Sequence, residues 1–328
     1  MKLGYALSSE EHPPLELVRD ARRAEDAGFE FALVSDHFHP WIDRQGHAPF
    51  VWAVIGAIAA STERLELGTG VTCPSMRIHP AIVAQAAATA ASLMPGRFFL
   101  GVGSGENLNE HILGERWPRS DERLAMLEEA VEVMRDLWTG DLVSHDGAYF
   151  TVDRARVYTL PPEPIRIMVA ASGPEAATLA GEIGDGLVST APEATLVESY
   201  VQAGGEGPRY GQLTVCWAKS EREARRTAHE WWPNAGLEGP LSQELAVPSH
   251  FEEASAMVTE DDVAEAVVCG PDLDAHLERI EAFAEAGFDH VYVHQVGPDQ
   301  AGFMEAYAKG VLPETRELAS RARVPAPV

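Results

Sequence analysis

The sequence predicts an α/β fold, a (β/α)8 TIM barrel, and three observations favour this fold class. Short apolar runs of strand length alternate with amphipathic stretches of helix length along nearly the whole chain. Eight such units follow at regular spacing, which favours a closed barrel over an open doubly wound sheet. The length of 328 residues is normal for a single barrel.

Each strand is predicted from a short apolar run, and each helix from apolar residues repeated at helical spacing. The predicted strands are residues 3–7, 31–35, 65–71, 98–103, 165–171, 186–190, 212–218 and 290–296. The predicted helices include residues 15–27, 81–93, 120–137, 174–183, 221–231 and 273–286.

Two segments interrupt this alternation, and we expect both to be insertions in one barrel domain spanning residues 1–328. The first is an excursion at about 140–163, with a predicted β-hairpin around Asp146-Gly147. The second, at about 232–259, is rich in Pro and Gly and is typical of an inserted, lid-like segment after the seventh strand.

Composition restricts the partners and the compartment. The formal net charge of −26 argues against nucleic acid, because phosphate contacts need clustered Lys and Arg. There is no run of 18 apolar residues, so we expect no membrane span. Cys73, Cys216 and Cys269 are widely spaced and odd in number, and a strand begins at the N-terminus, which together indicate a cytoplasmic protein. We expect its partner to be a small-molecule substrate.

The segment after the second predicted strand carries Asp36, His37, His39 and Trp41. In barrels of this kind the active site lies where the strands end at their carboxyl edge. His37 can take or give a proton near neutral pH, since imidazole titrates there. The neighbouring Asp36 and Trp41 favour a catalytic histidine over a purely structural one.

Further candidates follow other predicted strands. Glu106 lies in a glycine-rich turn after the fourth strand, where backbone can approach a cofactor closely. Residues 170–173 precede a helix, whose N–H groups can bind an anion. The eighth strand ends near His294. Together these positions predict a pocket for a planar ligand, with an acid and a base.

Other chemistries stay open. His37 and His39 form an HxH pair, which is typical of zinc sites in barrel hydrolases, but the middle strands supply no further histidine ligand. Residues 101–105 lack the glycine spacing of a dinucleotide-binding turn, and a GxSxG nucleophile elbow is missing from the sequence. A metal-dependent hydrolase is therefore a secondary alternative, and our main interpretation includes no metal.

Several motifs carry a resemblance to a known family. The longest are Val34-Ser-Asp-His-Phe-His-Pro-Trp41 and Phe99-Leu-Gly-Val-Gly-Ser-Gly-Glu-Asn-Leu-Asn-Glu110. Shorter ones are Gly46-His-Ala-Pro-Phe50, Met134-Arg-Asp-Leu-Trp138 and Gly184-Asp-Gly186. Together they resemble the luciferase-like barrel oxidoreductases, and most closely the branch that uses the deazaflavin coenzyme F420, related to F420-dependent glucose-6-phosphate dehydrogenase.

The resemblance implies roles for individual residues. His37 would act as the base on a carbinol, Trp41 would pack near the reacting centre, and Glu106 would serve the proton chemistry at the deazaflavin ring. Glu10 falls at an active-site position of the family. The cofactor-binding residues that the resemblance implies are Asp36, Gly70, Val71, Cys73, Gly105, Asn109, Ala170, Ala171, Ser172 and Gly173.

Two of these groups have a specific expected role. Gly70-Val71 matches the place where the family has a non-proline cis peptide behind the ring, and residues 170–173 match the segment that binds the phosphate tail. The resemblance also implies a homodimer.

One departure concerns the substrate. The sugar-phosphate enzymes hold the substrate phosphate with two lysines and an arginine, and the matching positions here are near Thr195, Ser242 and Ala266. A buried dianion without cationic partners is costly. We therefore expect hydride transfer between F420 and an unphosphorylated alcohol, aldehyde or sugar. The alternative within the fold is an FMN-dependent luciferase-like monooxygenase.

Overall fold

The computed structural model describes residues 1–237 and 239–315. Its main feature is a closed barrel of eight parallel strands, in which each strand pairs with the next and the eighth pairs back to the first. The barrel strands are β1 (Lys2–Leu7), β2 (Phe31–Val34), β3 (Glu66–Thr69), β4 (Phe98–Val102), β5 (Arg166–Ala170), β6 (Gly186–Ser189), β7 (Arg209–Cys216) and β8 (His290–Gln295).

Helices surround the barrel and fill the connections between its strands. The α-helices are Pro14–Ala27, Val51–Ala59, Pro80–Leu93, Asn107–Glu110, Ser120–Leu137, Pro174–Ile183, Ala194–Gln202, Glu221–Trp231, Leu241–Glu244, Pro248–Ala254, Glu260–Ala266, Leu273–Glu285 and Gln300–Gly310. Short 3₁₀ helices occur at His111–Leu113, Pro233–Gly236 and Ser255–Met257. The predicted (β/α)8 barrel is thus confirmed.

Aromatic rings fill the inside of the barrel. A side chain at Gly4 would meet the ring of Phe31, and a side chain at Gly68 would meet the ring of Phe99, so both glycines make room for these rings. Tyr210 packs edge-on against Phe31 at 5.2 Å and stacks on Phe99 at 5.1 Å between ring centroids. Because this interior is packed, ligands have room only at the rim of the barrel.

The strands were predicted more accurately than the helices. Each predicted strand overlaps a barrel strand, and most were predicted to run one or two residues too far, into loops that leave the sheet at the carboxyl rim. The main missed helices are Val51–Ala59, Ala194–Gln202 and Gln300–Gly310. The first is apolar on most sides, so its sequence lacks the amphipathic period on which prediction depends.

Two segments stand outside the alternation of strands and helices. An antiparallel hairpin pairs Val143–Asp146 with Thr151–Ala155 between β4 and β5. After β7, residues 232–237 and 239–259 form short helical turns at the carboxyl rim of the barrel. Within residues 1–237 and 239–315, no helix is both long and apolar enough to cross a membrane.

Candidate active site

His37 lies at the centre of an ionisable cluster built from three strand ends. Its Nε2 lies 3.3 Å from Glu10 Oε1 and 3.6 Å from Glu106 Oε2. Its Nδ1 lies 3.1 Å from the carbonyl oxygen of His39. Because a carbonyl can only accept, Nδ1 carries the hydrogen, and the basic Nε2 of the neutral ring faces the two carboxylates.

The environment sets different pKa values for the three groups. Burial raises the pKa of Glu106 to about 7, against the opposing attraction of His37. Burial lowers the pKa of His37, but the charges of Glu10 and Glu106 outweigh it and leave this pKa raised. Burial also opposes ionisation of Glu10, but His37 and a hydrogen bond from Ser35 leave its pKa lowered. The cluster therefore contains a carboxyl group with a lowered pKa, a carboxyl group with a pKa of about 7 and a histidine with a raised pKa.

Serine hydroxyls hold Glu10 in place. Its Oε2 accepts hydrogen bonds from Ser8 at 3.2 Å and from Ser35, which follows β2. This leaves Oε1 directed at His37. The sequence reasoning missed both serines, because a short hydroxyl side chain in a loop gives no distinct pattern.

Trp41 packs against the catalytic candidate. Its ring centroid lies 5.0 Å from that of His37, and on the other side it meets Phe251 edge-on at 5.2 Å. The backbone N–H of Trp41 donates to Gln45 Oε1 at 2.8 Å. The indole is thus fixed between the imidazole and the segment that follows β7.

Asp36 belongs to a buried ion cluster. Its Oδ1 accepts from Arg77 Nη2 at 2.9 Å, and its Oδ2 accepts from Thr72 at 2.8 Å. The same arginine binds Glu110, through its backbone N–H at 2.9 Å and its Nε at 3.5 Å. All three charged side chains are at most 7% exposed. The sequence reasoning found Asp36 but missed Arg77, its partner across 41 residues.

Asn109 links two loops of the site. Its Oδ1 accepts from the backbone N–H of Phe38 at 2.9 Å and of His39 at 3.3 Å, and its Nδ2 donates to Glu106 at 3.2 Å. The ring of His39 lies against the carbonyl of Leu108 and stacks on His111. His37 and His39 therefore contact different neighbours.

A large cavity adjoins His37 and Glu106, and its space of about 1050 Å³ includes open solvent. Glycine and alanine positions form much of its wall, and side chains at Gly103 and Gly105 would collide with Val71 and Cys73. The Gly70–Val71 peptide at this wall is cis, as the resemblance implied. The predicted residues on the wall are Asp36, His37, Gly70, Val71, Cys73, Gly105, Glu106, Asn109, Ala170, Ala171 and Ser172.

One end of the large cavity meets the helix Pro174–Ile183. Ser172 and Ala176 line the cavity there, and Gly173 is the residue before the helix. Gly173 itself is outside the lining. The N-terminus of a helix carries free N–H groups and a partial positive charge, which suit an anionic group.

A second, smaller cavity adjoins His37, with about 570 Å³ of space that includes open solvent. It shares six residues with the large cavity, which are His37, Gly70, Glu106, Thr190, Gln212 and Tyr292. The residues that line only the smaller cavity are Ala6, Leu7, Ser8, Glu10, Leu33, Ser35, Trp41, Trp232 and His294. Two reactants, one bound in each cavity, would therefore meet beside the imidazole of His37.

Comparisons with known proteins agree with this architecture. The family model described as luciferase-like monooxygenase matches residues 1–290. A relative from Beutenbergia cavernae, named F420-dependent glucose-6-phosphate dehydrogenase, is 38% identical over 96% of this chain and 98% of its own length. One from Rhodococcus erythropolis with the same name is also 38% identical, over 97% of this chain and 98% of its own length.

A solved structure gives the same result. An F420-dependent secondary alcohol dehydrogenase, in complex with an F420-acetone adduct, superposes with a TM-score of 0.87 and 31% identity. The superposition covers 94% of this chain and 98% of that one. The luciferase-like type of barrel predicted from the motifs is confirmed.

We predict that Arg77→Met destabilises the protein by about 3–5 kcal/mol, because it leaves Asp36 and Glu110 buried without a cation. Chemical denaturation of both proteins measures this loss. Arg135→Met is the matched control, because the pair of Arg135 with Asp185 is exposed and contributes about 0–1 kcal/mol. Equal stability losses in the two variants would contradict the prediction.

Proposed function

We propose a reaction on the premise that the chain belongs to the luciferase-like monooxygenase family, whose model matches residues 1–290. Within that family it is an F420-dependent oxidoreductase. Relatives named as F420-dependent dehydrogenases match it over almost its full length at 38% identity, and an F420-dependent alcohol dehydrogenase matches it at 31%. The substrate and the roles of individual residues form the proposal.

The observation that carries the proposal is the position of His37 on the wall shared by the two cavities. The large cavity suits F420, because the small residues Gly70, Gly103, Gly105, Ala170 and Ala171 in its wall leave space for a planar ring. The start of the helix Pro174–Ile183, with Ser172 and Gly173, suits its anionic tail. The smaller cavity then takes the carbinol or carbonyl substrate.

When bound, F420 supplies the acceptor for hydride at C5 of the deazaflavin. His37 takes the hydroxyl proton of the carbinol on Nε2 as the carbon gives up its hydride. Glu10 stabilises the resulting imidazolium with its carboxylate. Glu106 donates a proton toward the deazaflavin ring, for which its pKa of about 7 is suitable. Trp41 orients His37 and covers the substrate cavity.

The charges in the smaller cavity favour an unphosphorylated substrate. Among the described residues that line it, none is Lys or Arg, and two are Glu10 and Glu106. A phosphate dianion placed beside the carboxylate of Glu10, without Lys or Arg to bind it, would be strongly disfavoured. An alcohol, an aldehyde or a free sugar avoids this cost.

We further propose that the segment at about 232–259 acts as a lid on the single barrel domain. Gln243 bridges from this segment to Ser172 at 3.2 Å and accepts from Arg123 at 3.0 Å. Phe251 packs on Trp41. These contacts join the lid to both cavities, so its closure would exclude water during hydride transfer.

A homodimer in the cytoplasm completes the proposal. The helices Val51–Ala59 and Pro80–Leu93 form an apolar surface, on which Phe50, Ile82 and Leu93 are more than half exposed. Such a surface suits a second copy of the chain. The three cysteines are free thiols, which is typical of a reducing compartment.

We predict that His37→Ala lowers kcat for carbinol oxidation by about 10²–10⁴-fold, because the general base is lost. The Kd for F420, measured by fluorescence, should stay close to that of the unmodified protein. His145→Ala, in the hairpin beside Glu129, is the control and should keep full turnover. Unchanged turnover of the His37 variant would refute its role as the base.

The pH dependence of kcat/KM for oxidation should be bell-shaped. His37 must be neutral, and its raised pKa makes the rate fall as the pH drops below that value. Glu106 must be protonated, so the rate falls again above about pH 7. Glu106→Gln should react more slowly and lose the alkaline limb. If Glu106→Gln kept the alkaline limb of the pH profile, a group other than Glu106 would cause that limb.

The oligomer is tested by light scattering after size-exclusion chromatography. The unmodified protein should show twice the chain mass of 35.5 kDa. Ile82→Glu should yield monomers, because it places a charge in the apolar surface between the two helices. Leu15→Glu, at an exposed residue of a different helix, is the control and should remain dimeric. A dimer that survives Ile82→Glu would exclude this surface.

A further inference from the structure

Arg123 is a buried cation whose role is not explained by the steps above. It lies in the helix Ser120–Leu137 and is 3% exposed. Its Cζ lies 4.3 Å from the ring centroid of Trp117, and its Nη1 donates to the carbonyl of Pro118 at 2.8 Å. Its one ion pair among the described residues is loose, because Nη1 lies 3.7 Å from a carboxylate of Glu244 that is 52% exposed. The charge of Arg123 is therefore only weakly compensated.

Arg77 shows how the same chain compensates a buried guanidinium elsewhere. Arg77 forms ion pairs with two buried carboxylates, those of Asp36 and Glu110. Burial lowers the pKa of Arg123, whereas the charges of Asp36 and Glu110 outweigh burial and leave the pKa of Arg77 raised. A buried cation without a close anion is costly, and an anionic ligand that approaches it reduces this cost.

Gln243 connects Arg123 to the large cavity. Arg123 Nη2 donates to Gln243 Oε1 at 3.0 Å. Because a guanidinium only donates, the amide oxygen of Gln243 must face Arg123, and its NH₂ group faces away from it. Nε2 of Gln243 donates to Ser172 Oγ at 3.2 Å in a solvent-exposed hydrogen bond, and both residues line the large cavity. The second hydrogen on Nε2 has no partner among residues 1–237 and 239–315.

The wall of the large cavity lacks a cation of its own. Among the described residues that line it, none is Lys or Arg, and Asp36, Glu106 and Glu110 carry carboxyl groups. The helix Pro174–Ile183 at one end has Glu175 in its first turn, which offsets part of the positive charge of the helix N-terminus. An anionic group at this end therefore needs a further donor. The amide of Gln243, polarised by Arg123, provides one.

We propose that Gln243 donates its second amide hydrogen to the anionic tail of the coenzyme, and that Arg123 is the positioning residue that holds the amide in this orientation. The inference rests on the proposed function and adds a tail-binding group that belongs to the lid at about 232–259. The charge of Arg123 acts on the tail across the amide, without direct contact. Because the tail then bridges Gln243 and the barrel, its binding also holds the lid closed.

F420 and a tail-free deazaflavin, in which the ribityl chain ends in a hydroxyl group in place of the phosphate, test the proposal by fluorescence titration. The unmodified protein should bind F420 more tightly. Gln243→Glu keeps an acceptor for Arg123 but replaces the amide donor with a carboxylate oxygen. Its Kd for F420 should rise about tenfold or more, as expected for a lost hydrogen bond to a charged group. Its Kd for the tail-free compound should stay unchanged.

Arg123→Met tests the positioning role. Methionine fills the space of the arginine stem but cannot donate, so the amide of Gln243 is free to turn, and the preference for F420 over the tail-free compound should fall. Arg123→Lys retains a donor and should keep most of this preference. A merely structural role would weaken both compounds equally. Gln202→Glu is the control for net charge, because Gln202 is exposed, ends a different helix and lies outside the large cavity.

The outcomes distinguish this proposal from the coenzyme assignment. If F420 binds Gln243→Glu as tightly as the unmodified protein, or if both compounds weaken equally, the proposal fails and the assignment stands. If F420 does not bind, the assignment fails. FMN and riboflavin, which differ in the phosphate, then decide the proposal. A preference for FMN that Gln243→Glu removes supports it, whereas an unchanged Kd for FMN, or no binding of either flavin, overturns it.

Discussion

Closure of the eight-stranded barrel is the constraint on which the site depends. The rings of Phe31, Phe99 and Tyr210 fill the barrel interior, and the two cavities that adjoin His37 lie at the carboxyl rim. Every parallel strand ends at this rim, which brings residues distant in sequence within a few ångströms of one another. Glu10, His37 and Glu106 meet there from three different strands, on backbone that the sheet holds rigid.

The ionisable groups at the carboxyl rim have different electrostatic environments and therefore suit different roles. Glu10 stays ionised because His37 and serine hydroxyls stabilise its charge, whereas burial keeps Glu106 protonated up to about pH 7. Arg77 forms ion pairs with two buried carboxylates, Asp36 and Glu110, which line the large cavity. No Lys or Arg among the described residues lines the smaller cavity, and its polar groups suit a neutral substrate.

Much of the fold and of the candidate site was predictable from the sequence. The contacts that were not predicted have a physical reason in common. Strand-length apolar runs gave all eight barrel strands, and the segment from Asp36 to Trp41 identified the centre of the site. The serines that hold Glu10, the pairing of Arg77 with Asp36, and the contact of Glu11 with His294 were missed. Apart from the contact of Ser8 with Glu10, each joins the ends of neighbouring barrel strands that are far apart in sequence, in the last case 283 positions apart, and local patterns do not reveal such contacts.

The most direct test of the account is a titration of the purified protein with F420 and, separately, with FMN, following the fluorescence of each cofactor. The large cavity, with its small residues and helix N-terminus, is assigned here to the deazaflavin coenzyme. We expect saturable binding of F420 and no response to FMN. Binding of FMN alone would contradict it and would place the chain with the flavin-dependent monooxygenases of the same fold.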